Sequence, residues 1–131
     1  MANILGKFTD PIYGLTRLVI GFTYACHGAQ KLFGVLGSQP HREGLFLAAG
    51  IIEFVAGVMV ALGLQASIAA FVASGEMAVA YFMMHAPRGF WPIKNMGELA
   101  VAYCFFFLFV AADGSGRYSV DGLLGRKSSG S

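Results

Sequence analysis

Four apolar runs divide the chain, at 12–34, 44–64, 66–86 and 96–112, and none contains an internal proline. Each approaches the ~20 residues that cross a ~30 Å hydrocarbon layer as a helix. Ala, Gly, Phe, Val and Leu dominate them. The alternating segments of ~10 residues that build a transmembrane barrel do not occur.

The intervening segments fit this division. GSQPHRE (37–43) is polar and turn-forming, so it is expected to leave the membrane. LGLQAS (62–67) is short enough to predict a tight antiparallel hairpin between the second and third helices. PRGFWPIKN (87–95) combines two helix-breaking prolines with Phe90 and Trp91, aromatic residues suited to the lipid–water interface. Asp10-Pro11 reads as a helix start, with the acid as N-cap and proline at the first helical position. MANILGKFTDP does not read as a cleavable signal, because the apolar run behind it is too long and no small-residue cleavage site ends it. The pattern predicts an all-α, antiparallel four-helix integral membrane bundle over 1–124 that includes a structured tail. Residues 125–131 are expected to be disordered.

Composition strengthens the membrane reading. Hydrophobic residues make up 56% of the 131 residues and charged residues only 12%, against roughly 25% charged in a soluble domain. The net charge of +2 comes from scattered basic residues, which argues against a nucleic-acid partner and for membrane lipid. An even number of spans places both termini on one side. Lys7, Arg117, Arg126 and Lys127 fall on that side, and Lys31, Arg42, Arg88 and Lys94 on the other, so positive-charge bias does not set the orientation.

The few ionisable residues inside the apolar runs carry the candidate chemistry. At 100° per residue, Tyr13, Arg17, Tyr24, His27 and Lys31 share one face of the first helix with Gly14, Gly21 and Gly28. Glu53 and Glu76 lie mid-helix among small residues, and Glu98 opens the fourth helix among aromatic ones. A charge at mid-bilayer costs roughly 2.5–3.5 kcal/mol. Left unpaired, Arg17, Lys31, Glu53, Glu76 and Glu98 would together cost roughly 12–18 kcal/mol, which rivals the stability of a whole domain. An internal polar network of Arg17, His27, Lys31, Glu53, Glu76 and Glu98 is therefore expected. By depth, Arg17 should meet Glu53 or Glu76, and Glu98 should lie level with His27 and Lys31. Arg17 with Glu53 or Glu76 suits fixing helix register as well as function, whereas His27, Lys31 and Glu98 near one membrane face suit binding a polar headgroup or relaying a proton.

Among ligands, a quinone fits such a helix bundle: it needs an apolar slot for its tail and a few donors or acids at its ring. Tyr24, His27, Lys31 and Glu98 would supply the polar end, with Phe105 and Phe109 as walls. The same residues would also suit a lipid headgroup or a subunit contact. Cys26 and Cys104 form no CxxC pair and read as small apolar packing. His27, His41 and His85 lack the helical spacing of a metal site, so no metal and no tightly bound cofactor is expected. His85 reads as interfacial.

LTRLVIGFTYACHGAQKLFG (15–34), GIIEFVAGVMVALGL (50–64) and GSGRYSVDGLL (114–124) together resemble the DoxX family of small bacterial membrane proteins. The resemblance implies four membrane helices in one bundle. The expected location is the bacterial cytoplasmic (inner) membrane, multi-pass, with both termini on the same, cytoplasmic side. The resemblance also implies work alongside other membrane or peripheral redox proteins, since relatives include the membrane subunit of thiosulfate:quinone oxidoreductase. The expected role is a membrane component of a quinone-linked oxidoreductase or respiratory system. A non-catalytic assembly subunit is the alternative, and small-molecule or proton transport a third. The tail residues Arg117, Tyr118, Ser119 and Asp121 read as a cap folded over the bundle end or as a partner-docking site.

Overall fold

In a computed structural model that describes residues 3–40 and 43–125, every regular element is helical. A short 3₁₀ turn (Gly6–Phe8) leads into α1 (Thr9–Phe33). It is followed by α2 (Gly44–Leu62), α3 (Ala66–Ala80), α4 (Pro92–Asn95), α5 (Glu98–Asp113) and α6 (Val120–Leu123). A π turn, Tyr81–His85, and a 3₁₀ turn, Ala86–Arg88, extend α3. Gly44–Leu62 and the continuous run Ala66–Arg88 are long and apolar enough to cross a membrane. His41, Arg42 and the expected disordered end at 126–131 lie outside the described residues.

α1 and α2 run antiparallel with their backbones almost touching. A β-carbon on Gly21 would lie 2.6 Å from the Ala61 nitrogen, and one on Gly57 2.6 Å from the Ala25 nitrogen. On Gly28 it would overlap the backbone of Phe54. Lipid tails are as apolar as leucine, so helices in lipid gain by close van der Waals approach rather than by expelling water, and small residues allow that approach. Gly50 in turn sits against Lys31 and Leu32 near the end of α1, so stretch 44–49 of α2 projects beyond that end.

α3 and α5 form a second antiparallel pair. Ser67 Oγ donates to the Ala111 carbonyl at 2.6 Å and Ser74 Oγ to the Cys104 carbonyl at 2.8 Å. Ala66, Ala69, Ala70 and Ala73 supply the flat buried surface on which α5 lays Tyr103, Phe107 and Val110. Tyr24 of α1 joins this core, its ring 5.4 Å from Tyr103 and 4.6 Å from Phe107.

Several helix ends differ from the sequence expectation. α1 starts at Thr9, so Asp10 lies inside its first turn instead of capping it, and Phe8 occupies the cap. Pro11 remains in that first turn, where its missing N–H would have had no partner anyway. α3 leaves α geometry after Ala80, before Pro87 is reached. The segment 87–95, read from sequence as a connection with two helix-breaking prolines, contains α4. It is tied down by Asn95, which is fully buried. Asn95 Nδ2 donates to Tyr81 Oη at 3.0 Å and to the Gly89 carbonyl at 2.7 Å, and its Oδ1 accepts from the Gly97 N–H at 2.8 Å. Tyr81 Oη donates onward to the Phe90 carbonyl.

Candidate functional site

α1, α2, α3 and α5 line a cavity of about 630 Å³ that opens to the outside of the bundle. Its walls include Phe46, Ala49, Ile52, Val72, Val79, Met83 and Leu99. Its polar lining is Tyr24, His27 and Lys31 from α1, Glu53 from α2 and Glu76 from α3, with His85 and Arg88 from the turns that extend α3.

The polar residues form a chain of contacts. Lys31 Nζ lies 2.7 Å from Glu53 Oε1, and Glu53 is buried. Glu53 and Glu76 present their carboxyls to one another within hydrogen-bonding reach. Tyr24 Oη donates to Glu76 Oε1 at 2.8 Å. His27 lies beside this chain, its ring edge-on to Tyr103 at 5.9 Å. Tyr103 Oη donates to Thr23 Oγ1 at 2.9 Å. His85 borders the cavity near the α4 turn, with Nδ1 3.3 Å from the Asn95 carbonyl.

The expected pairing of Arg17 with Glu53 or Glu76 is corrected. Gly50 meets the end of α1, and that register brings Glu53 to Lys31 instead. Arg17 is buried at the opposite end of the α1–α2 pair and spends its donors on backbone carbonyls. Nε reaches Val60 O at 2.8 Å, Nη1 reaches Ser115 O at 2.5 Å, and Nη2 reaches Tyr118 O at 2.9 Å. The planar guanidinium fork suits this task, because helix C-termini present carbonyls without intrahelical partners.

The tail folds over that end. Ser115 Oγ donates to Asp121 Oδ2 at 2.7 Å and accepts from the Ala66 N–H at 3.1 Å. The Gln65 N–H donates to Asp121 Oδ2 at 2.8 Å, and Tyr13 Oη donates to the Gly114 carbonyl at 2.6 Å. Ser119 caps α6, accepting from the Gly122 N–H at 2.9 Å. Of the four tail residues singled out in the sequence, Ser119 and Asp121 are buried in the cap, whereas Arg117 and Tyr118 are exposed.

Glu98 is also corrected. It is exposed and does not line the cavity, and Phe105 and Phe109 face outwards at 64% and 57% exposure. α5 is apolar on every side, so hydrophobic periodicity does not reveal its inward face. Packing places Ala100, Tyr103, Phe107 and Val110 inside. Sequence reasoning missed Asn95 and Ser115. The signal for Asn95 was a lone amide between two helix-breaking prolines and a glycine, at Pro87, Pro92 and Gly97.

Removing one partner of a buried ion pair leaves the other charge uncompensated, at a cost of about 3–5 kcal/mol. Lys31→Met is therefore expected to destabilise the protein on that scale, and Lys31→Met with Glu53→Leu by much less than the sum of the single changes. A double-mutant cycle on thermal unfolding in detergent measures the coupling. Strict additivity would refute the pair's energetic role.

The DoxX family model matches residues 13–86, which cover most of α1 and all of α2, α3 and the π turn. An uncharacterized protein of Haemophilus influenzae is 36% identical over 127 aligned residues, covering 91% of this chain and 95% of that protein. No solved structure matches the chain.

Proposed function

The chain belongs to the DoxX family of membrane proteins, and from that premise we propose that it is a four-helix integral subunit that holds a quinone-type molecule for redox partner proteins. α1, α2, α3 with its extension, and α5 would be the four spans, placing both termini on the cytoplasmic side of the inner membrane. At 25 residues, α1 is about 38 Å long at a rise of about 1.5 Å per residue. It turns Leu15, Leu18, Val19 and Phe22 outwards, as lipid contact requires.

The observation that carries the reading is the cavity: an apolar slot of about 630 Å³ that converges on Tyr24, Lys31, Glu53 and Glu76. Its volume is in the range of small-molecule sites, and its few polar groups sit together, as recognition of a ring head requires. The apolar remainder suits an isoprenoid tail. The chain would supply the anchor and the head-group site, with electrons carried by its partners.

The test fills the slot. Ala49 lines the cavity one helical turn before Glu53, so Ala49→Trp should remove co-purifying quinone from protein extracted gently in mild detergent. Leu15→Trp, on the outward face of α1, should leave quinone occupancy unchanged. No bound quinone in either the native protein or the Leu15 variant, even with quinone added in excess, would overturn the proposal.

A further inference from the structure

The side on which the cavity opens follows from which of its lining residues are exposed. Those of α1, Tyr24, His27 and Lys31, are buried or half-buried, and Ala100 and Tyr103 of α5 are buried. Level with Glu53 and Glu76, the exposed lining comes from α2 at Ala48 and from α3 at Val72, Gly75 and Val79. The opening therefore lies between α2 and α3. These two helices pack near their shared turn, where Ala56, Val60, Ala66 and Ala69 enter the core, and the lining begins beyond that stretch. Further on, α2 is held to α1 by glycine contacts and α3 to α5 by Ser74. A cleft is left between the two pairs.

Gly75 stands in this cleft, next in sequence to Glu76. Small residues in membrane helices ordinarily serve close helix contact. A β-carbon on Gly75, however, meets nothing within 4 Å among the described residues. The missing side chain leaves a gap in the cavity wall instead of a contact. In the continuous helical run Ala66–Arg88, Gly75 lies about 14 Å from one end and about 20 Å from the other at about 1.5 Å per residue. As a span of a ~30 Å layer, that run holds the gap among the lipid tails, away from the headgroups. Resting on the reading of the cavity as a quinone-type site, we propose that the ligand's ring enters sideways from the hydrocarbon layer, between α2 and α3 past Gly75, and that its tail stays in this cleft. The site is thereby assigned to a membrane-borne, long-tailed ligand that arrives through lipid. Val72, Val79 and Met83 give the tail an exposed apolar bed continuous with the cavity.

Two experiments on the full-length protein in lipid nanodiscs test the route. In the first, a long-tailed quinone carrying a photoreactive diazirine in its tail is bound to the native protein and irradiated. Adducts are expected on Val72, Val79 or Met83, and excess unlabelled long-tailed quinone should suppress them. Adducts confined to other faces, or adducts that the excess leaves unchanged, would overturn the inference. In the second, Gly75→Trp should weaken binding of the long-tailed quinone about tenfold or more, the scale of an overpacking clash, and alter that of a tail-less benzoquinone by no more than about twofold. Ile68→Trp, exposed on α3 and outside the cavity lining, should change neither affinity. Unchanged binding of the long-tailed quinone in Gly75→Trp, or equal loss of both ligands, would overturn the route while leaving the cavity reading intact. Native protein that binds neither quinone would instead overturn the cavity reading.

Discussion

Arg17→Met is expected to destabilise the protein by roughly 3–5 kcal/mol, since it deletes a buried charge-assisted network while its acceptors stay buried. The guanidinium joins three segments at one point. It bonds the end of α2 at Val60 and the tail at Ser115 and Tyr118, and it projects from α1. Without it, the carbonyls of Val60 and Ser115 lose their side-chain donor in an apolar setting. The loss should be visible as a lower melting temperature in detergent and as protease cleavage within 114–124. Arg17→Lys should recover only part of the stability, because an ammonium is a point donor and cannot serve carbonyls on opposite sides of a planar fork. A melting temperature unchanged in Arg17→Met, with the tail still protected, would show that the tail is held by Ser115 and Asp121 alone.

Gly28→Val should be of comparable severity, about 3 kcal/mol, through a different cause. The added β-carbon would overlap the Phe54 backbone, which has no rotamer to move aside. α1 and α2 would have to separate along their contact, and Lys31, one turn further on, would be drawn away from Glu53. Gly75 provides the contrast. A β-carbon there meets nothing within 4 Å, and Gly75 lies inside α3, so Gly75→Ala should stabilise the protein by about 0.5–1 kcal/mol. Unfolding of both variants in the same detergent makes the comparison. Equal effects at the two positions would mean that close backbone contact between α1 and α2 is not what holds them together.

Much of the architecture was legible because it rests on local rules. Apolar runs of near-span length, broken by GSQPHRE and by the two prolines at Pro87 and Pro92, mark helices whatever surrounds them. The face of α1 was also legible: Tyr24, His27 and Lys31 lie along one stripe at helical spacing, and all three line the cavity. Family membership rested on short motifs in order, which depend on residue identity and not on packing.

The partners of the charges were not legible, and the reason is geometric. The position of α2 along α1 is set by where Gly21, Gly28, Gly50 and Gly57 let the backbones touch, and that places Glu53 beside Lys31. Depth counted from the ends of the apolar runs placed Glu53 near mid-membrane and missed the stretch of α2 that projects past the end of α1. Arg17 was expected to need an acid because sequence reasoning counts side-chain charges. The carbonyls it uses become acceptors only when α2 ends and the tail folds back. Glu98 was placed inside because a charged residue in an apolar run suggests a buried partner. At the first turn of α5 it lies at the helix end and is exposed.

The sequence by itself therefore determined that the chain is helical, membrane-associated, a member of the DoxX family, and polar along one stripe of α1. Those properties follow from residue type and period, which a chain carries before it folds. Only the tertiary structure decided that Glu53 and Glu76 from different helices meet in one apolar cavity, and that Arg17 fastens the tail. Each depends on the relative translation of packed helices, which glycine contacts and helix ends fix to within a single turn.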